Sequence, residues 1–349
     1  MENTTTLGID LAKEVFQLHG TDESGKIVIK KQIKSRAAFS RFIAKLQPAL
    51  IGMEACGSAH HWARLFESFG HQVKLMHPGY VKAYVQRNKH DAADAKACHE
   101  AVSRDAVKAI PIKTTEQQAI LMLHKLRSRL IKNQTQLGNQ IRGCLYEFGV
   151  TIRQGHSALL KRIPEILEDA ENALPDLARS LVSGLLDEYR ALKERIEQHN
   201  LRIETFSQTD EDCRRLRSLP GIGPITASAF VASLKGYHFK KGRQAAASLG
   251  LTPKEHSSGQ TKRLGRISKQ GNRYLRCLFV HGARSVAQNS KGKDDKISLW
   301  VQRLIAEKGW NKAVVALANK NARIAWSMLR DQAIYDVCHA EHYEYRPQS

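Results

Sequence analysis

TTLGIDLAKEVFQLHGTDESGKIVIKKQI, residues 5–33, decides the fold class. Thr5 to Ile9 is a short apolar-leaning run broken by Asp10, and Val15 to His19 and Lys26 to Ile33 are two more runs of strand character. Thr21 to Gly25 (TDESG) between the last two is a turn composition. Working outward, Ser35 reads as the N-cap of a helix with apolar positions Phe39, Phe42, Ile43 and Leu46, closed by Pro48. Ala49 to Met53 is a fourth strand ending at Glu54. Trp62, Leu65, Phe66 and Phe69 mark a second helix that stops at Gly70, and Val73 to Met76 is a fifth strand ended by Pro78-Gly79. Hairpin strands followed by strand–helix alternation predict an α/β domain with a mixed sheet.

Four acids stand at telling places on that scaffold. Asp10 follows the first strand and Glu54 the fourth. Neighbouring strands would bring both to one sheet edge, where α/β folds place their sites. Asp91 and Asp94, in KHDAADAK, are spaced to lie one turn apart on one helix face. Singly, each acid reads as a cap or a solvated residue before it reads as a ligand, and Asp91 and Asp94 also suit the first turn of a helix. Together they would form a quartet that needs a counter-charge. Oxygen-only ligands select Mg²⁺, with Mn²⁺ as a substitute. Two such ions about 3.5–4 Å apart serve phosphoryl transfer.

The middle of the chain is helical. One long pattern covers Thr115 to about Phe148. From Ala178 the positions Val182, Leu185, Tyr189, Leu192, Ile196, His199, Ile203 and Phe206 alternate in steps of four and three, the seam of a coiled coil. His199 is its one polar member and reads as a tolerated or register-setting residue rather than a ligand. The seam's partner is either the Thr115–Phe148 helix or another protomer. LPGIGP, residues 219–224, then reads as helix, glycine turn, helix. Gly221 and Gly223 would present backbone N–H groups to phosphate, unless the segment is an ordinary helix connection. A basic segment follows, with Lys254, Lys262, Arg263, Arg266, Lys269, Arg273 and Arg276 against the single acid Glu255. Ser257 and Ser258 stand at its start. Helical stretches at Tyr274–Ala287 and Ile297–Leu329 finish the pattern.

The 349 residues, 42% apolar and 26% charged, describe a folded chain of two or three domains with at least one substantial core. The formal net charge is +21, which favours a polyanionic partner, nucleic acid above all. No apolar run reaches the roughly 18–20 residues of a membrane span, and the N-terminus has no signal-peptide pattern. Six scattered cysteines without a C-x-x-C pair argue against a disulfide framework or zinc ribbon and fit a reducing cytoplasm.

The motifs GID10LAK, ME54ACGS, D91AAD94A, LPGIGP, and Ser258-Gly followed by ISKQGN resemble the DEDD transposases of the bacterial insertion sequence 110/1111 family, over roughly Thr6 to Leu329. The resemblance implies a RuvC-like, RNase H-type domain over 1–114 whose acids Asp10, Glu54, Asp91 and Asp94 bind Mg²⁺. It further implies a helical coiled-coil segment over 115–210. A transposase domain over 211–332, with a helix-hairpin-helix and a nucleophilic serine at Ser258, and a tail over 333–349 complete the division. Ser257 precedes Ser258 and is the alternative nucleophile. The implied activity is DNA recombination that excises and inserts the element itself, in a bacterial, nucleoid-associated setting. The implied partners are DNA, a structured guide RNA and further copies of the chain. A Holliday-junction-type endonuclease using the same acids with water is the alternative. A non-catalytic nucleic-acid-binding protein with a degenerate nuclease fold is the third reading.

Overall fold

The computed structural model describes residues 4–85, 91–259, 261 and 263–335, with only the backbone of Asp91 and Ala92. The side chain of Asp91, Lys262, Cys338 and the tail beyond 335 therefore lie outside the described residues. The chain divides into two compact units, Met1–Thr115 and Glu116–Ser349.

The first unit runs β1 (Thr6–Leu11), β2 (Phe16–Thr21), β3 (Ile27–Ile33), α1 (Arg36–Ala44), β4 (Leu50–Glu54), α2 (Ala59–Ser68), β5 (Gln72–Met76), α3 (Pro78–Val81), α4 (Asp91–Val102) and β6 (Ala109–Ile110). The sheet order is β3-β2-β1-β4-β5-β6, a mixed central sheet. β1, β2 and β3 pair antiparallel through short turns, whereas β1–β4 and β4–β5 are parallel because α1 and α2 cross over between them. The β2–β3 turn is organised by the Asp22 carboxylate, which accepts from the N–H groups of Ser24 (2.9 Å) and Lys26 (3.0 Å). The predicted N-cap is present, with Ser35 Oγ accepting from Ala38 N–H.

Strand alternation gives the sheet two faces. Leu7, Ile9, Leu18, Ile51, Met53 and Leu75 share one, which is buried under α1 and α2. Phe16 stacks on Phe39 at 4.0 Å, and Trp62 meets Phe39 edge-on at 4.8 Å. Gly8, Asp10, His19, Gly52, Glu54 and Met76 share the other face, which carries α4. Both acids lie within strands rather than just beyond them. Pairing with β2 continues through Asp10↔Gln17 to Leu11↔Phe16, and this holds β1 in register past Ile9.

The second unit is almost wholly helical. α5 (Thr115–Tyr146), α6 (His156–Glu168) and α7 (Asp176–Thr209) share a core of Leu137, Ile141, Leu159, Ile163, Tyr189 and Ile196, among others. Val182, Tyr189, Leu192, Ile196 and Ile203 of the predicted seam are buried, and most of them pack in the core that α5 and α6 share. His199 is half-buried. Burial, with Arg202 and Arg195 nearby, holds its imidazole below the ordinary range.

Next come α8 (Glu211–Arg217), α9 (Pro224–Leu234), α10 (Gly242–Ser248), β7 (Pro253–Glu255), β8 (Leu264–Ile267), α11 (Arg273–Gln288), α12 (Lys296–Lys308) and α13 (Trp310–Asp331). The stretch expected over Ile297–Leu329 is two helices, because the chain turns at Gly309 (φ 82°). α9 is buried on every side from Thr226 to Leu234, so α8, α11 and α13 assemble around it. Among the described residues, no helix is long and apolar enough to cross a membrane.

A buried polar bridge ties α5 to α9 and α11. Ser228 Oγ donates to Pro224 O at 2.7 Å, so it accepts from His124 Nε2–H at 3.0 Å. His124 Nδ1 is then left to accept the Tyr274 hydroxyl at 3.0 Å. This tautomer needs a neutral ring, and burial, aided by Arg127, pushes the His124 pKa down to about 4. The unfolded chain takes up the proton near 6.5. The bridge's contribution is therefore whole above that pH and is lost as pH falls towards 4, on the order of 3 kcal/mol. His124→Gln should flatten the loss of denaturant resistance between pH 7.5 and 4.5. An unchanged acid slope in that variant would show that His124 does not control it.

Candidate active site

β1 and β4 are parallel, and their last paired residues are Ile9 and Met53. Asp10 and Glu54 are the next step on each strand, on neighbours about 4.8 Å apart. Both side chains are half-buried and lie on the face that carries α4. Two glycines make that contact close. A Cβ on Gly8 would fall 2.3 Å from Ala95 O and His99 N, and one on Gly52 would fall 2.6 Å from Val102 Cβ and 2.9 Å from Cys98 O. α4 therefore rests closely on both strands, its backbone against Gly8 and the Val102 side chain with the Cys98 carbonyl against Gly52. Ala95, Cys98, His99 and Val102 are the residues of α4 in this contact, while Ala97 and Ala101 pack in a cluster with Met76 and Val81.

Asp94 precedes the Ala95 turn of α4, and Asp91 opens the helix one turn earlier. The Cys98 thiol reports what gathers there. Burial first, and then the carboxylates of Asp10, Glu54 and Asp94, push its pKa up to about 12. Cys56 is also raised, by burial and then by Glu54 and Asp10. Asp10, Glu54 and Asp94 are thus all within electrostatic reach of the same thiol. Among the described side chains, which exclude that of Asp91, no three His, Cys, Asp or Glu close around a single position. Neither Glu54 nor Asp94 has a Lys or Arg in salt-bridge contact among the described residues, and hard oxygen donors of this kind suit Mg²⁺ or Mn²⁺.

The serine segment is a β-hairpin, which the polar composition did not signal. β7 and β8 pair antiparallel. His256 N–H donates to Arg263 O at 3.0 Å, and Ser258 and Thr261 exchange backbone bonds at 3.1 and 3.3 Å. The two serines differ in commitment. Ser257 Oγ donates to Glu255 Oε1 at 2.7 Å and accepts from Arg263 N–H at 3.2 Å. Ser258 is exposed at the tip beside Gly259, and its hydroxyl bonds to no described residue.

Arg263, Arg266, Lys269 and Arg273 are exposed along this hairpin and the loop into α11. Arg276 is not available in the same way, because its guanidinium donates to Leu249 O (2.8 Å) and Gln270 O (3.2 Å). Asn272 N-caps α11, accepting from Leu275 N–H, and its own N–H donates to Ser248 O at 2.9 Å. The α8–α9 turn is tight, with Ile222 N–H bonded to Leu219 O at 3.0 Å. Gly221 (φ 89°) lies against Gly282 of α11, where a Cβ on Gly282 would meet Gly221 O at 1.9 Å. That contact gives Gly221 a packing reason of its own, while Gly223 is exposed.

Two family models match the chain. One, described as transposase and named for the DEDD domain of the IS110 group, covers residues 7–149, and the other, the transposase IS116/IS110/IS902 family, covers 213–296. A probable family 20 transposase of Pseudomonas aeruginosa is 44% identical over 95% of this chain and 99% of its own length. The chain belongs to the IS116/IS110/IS902 transposase family. The transposase for insertion sequence element IS1111A of Coxiella burnetii is 41% identical over 96% of this chain and 92% of its own. That for IS1328 of Yersinia enterocolitica is 35% identical over 96% and 99%. As a transposase the protein acts on DNA and is a DNA-cleaving and DNA-joining enzyme.

Sequence reasoning passed over Gly8, Gly52 and Cys98. The signal for the two glycines was a small residue two positions before each strand acid, at an alternate position that faces the helix. Gly8→Ala in this transposase should lift α4 and destabilise the first unit by about 1–3 kcal/mol. Gly143→Ala, at an exposed helical position with open space around it, should be neutral or stabilising. Thermal melts of the two variants check this, and equal melting would contradict the close contact.

Proposed function

We propose that this transposase excises and inserts its own element, with Asp10, Glu54, Asp91 and Asp94 holding Mg²⁺ or Mn²⁺ and Ser258 as the nucleophile. The observation that carries the reading is the placement of Asp10 and Glu54 side by side on the parallel strands β1 and β4, on the sheet face that carries α4 and its Asp94. When bound, the ion supplies positive charge to the scissile phosphate. The acids orient it and the hairpin cations hold the strand. Ser258 Oγ attacks phosphorus, one P–O ester bond forms as another breaks, and the departing DNA oxygen takes up a proton. The number of phosphodiester bonds is conserved, so rejoining needs no outside energy source. The exposure of Ser258, whose hydroxyl bonds to no described residue, against the doubly bonded Ser257, favours Ser258 for this role.

Lys262, Arg263, Arg266, Lys269 and Arg273 grip the backbone, and the α8–α9 turn with Gly221 and Gly223 serves as a helix-hairpin-helix phosphate contact. The metal domain covers 1–114, the coiled-coil segment 115–210 and the transposase domain 211–332, with 333–349 as a tail. A structured guide RNA, assembly with further copies of the chain and a nucleoid-associated cytoplasmic setting follow from the family resemblance. The +21 charge suits them.

Incubation with element-end DNA followed by denaturing electrophoresis tests the nucleophile. Wild type and Ser257→Ala should give a covalent protein–DNA adduct, and Ser258→Ala should give none while still binding DNA. Cleavage without any adduct would favour the water-using endonuclease, and full recombination by Ser258→Ala would refute the serine role. Asp10→Asn and Glu54→Gln should each lower strand cleavage by at least about a hundredfold, the scale of losing a major electrostatic contributor. Wild-type rates in either variant, or turnover in EDTA, would contradict the metal assignment.

A further inference from the structure

We propose that Lys240, Lys241 and Arg243 form a second contact for a nucleic-acid backbone, at the far end of α10 from the cations of the serine hairpin. The inference rests on reading the protein as an enzyme that handles DNA through that hairpin.

Between Cys213 and Lys293 the chain carries 17 Lys and Arg but a single acid, Glu255. Several of those cations already have structural work. Arg215 pairs with Asp212 (2.8 Å) and Glu211 (3.0 Å), Lys235 with Asp212 (2.7 Å), and Arg217 with Glu204 (3.0 Å). Lys240, Lys241 and Arg243 are different. All three are exposed, and none has a carboxylate at salt-bridge distance among the described residues.

Their backbone is held firmly despite the repulsion of three like charges within four residues. Gln244 Oε1 accepts from Lys240 N–H at 2.7 Å, and Gln244 N–H donates to Lys241 O at 2.9 Å. Just before them Tyr237 and Phe239 stack at 5.3 Å, and Phe239 meets Trp326 of α13 edge-on at 6.2 Å. Gly242 abuts α13, where a Cβ would lie 3.2 Å from that of Arg323. The nearby aromatic rings are thus partly buried, and His238 and the three cations are exposed. A rigid, uncompensated cationic turn of this kind suits a polyphosphate, which brings the missing counter-charge.

The spacing fits a strand. The seven residues of α10 span roughly 10 Å, the reach of about three successive phosphates on one strand. Its far end is joined to the loop before Arg273 by the Asn272 N–H bond to Ser248 O (2.9 Å). Both cationic groups are thus fixed to one short rigid helix.

The test uses the full chain with a duplex DNA and a structured RNA as separate probes, titrated over a series of salt concentrations. Replacing Lys240, Lys241 and Arg243 together by Gln should make the log K against log salt slope shallower by about 2–3 on at least one probe. Affinity at moderate salt should fall by about tenfold or more. The charge-conserving triple Lys240→Arg, Lys241→Arg, Arg243→Lys should retain the wild-type slope. Loss on the duplex alone identifies DNA as the source of the phosphates, and loss on the RNA alone identifies RNA. An unchanged slope on both probes overturns the proposal, as does equal loss in the charge-conserving triple. If wild type binds DNA and forms the serine adduct while the Gln triple is unaffected, only this inference fails. If wild type binds neither probe, the parent reading fails with it.

Discussion

The contact on which the proposed metal-site geometry depends is the close packing of α4 on β1 and β4 at Gly8 and Gly52. Asp10 and Glu54 follow those glycines by two residues on the same face of each strand, so whatever sets the height of α4 sets its distance from both acids. A side chain at either glycine would prop the helix away by the thickness of a methyl group or more. The carboxylates of α4 would then stand too far off to share a ligand with the strands. Ala95, Cys98, His99 and Val102, the α4 residues that meet those glycines, are the other half of the same constraint.

Charge in the second unit sorts by what it touches. Arg215, Arg217 and Lys235 meet acids, and Arg276 meets carbonyl groups, so these cations hold the fold together. The cations of the serine hairpin and of the turn before α10 have no such partners among the described residues, and they lie on short, well-anchored elements. Paired charges of exposed type contribute little to stability. Unpaired ones cost a little through mutual repulsion, and their use lies in what they attract. The same division separates the serines, since Ser257 is absorbed by the hairpin and Ser258 is left outside it.

Much of this was legible in the residues. The hairpin, the strand–helix alternation and the caps follow from local chemistry, and the i, i+3 spacing of Asp91 and Asp94 fixes their common helix face whatever the tertiary fold. The extent of β1 and β4 was harder to read. Asp10 and Glu54 look like strand terminators, but pairing with β2 and β5 carries each strand through its acid. The two-residue β6 and the β7–β8 hairpin have little apolar alternation, because they are short and exposed, so periodicity had nothing to report. The close approach at Gly8 and Gly52 is a tertiary fact, although its trace, a glycine two places before each strand acid, is plain once the sheet is known. The seam of α7 was visible as a pattern, and its packing with α5 and α6 required coordinates.

The claim that the four carboxylates form one metal centre is tested most directly by anomalous diffraction from crystals grown with Mn²⁺. The account predicts manganese within about 2.5 Å of carboxylate oxygens from Asp10 and Glu54 and from at least one of Asp91 and Asp94. Manganese bound only elsewhere, or held by strand acids with the α4 acids turned away, would contradict it.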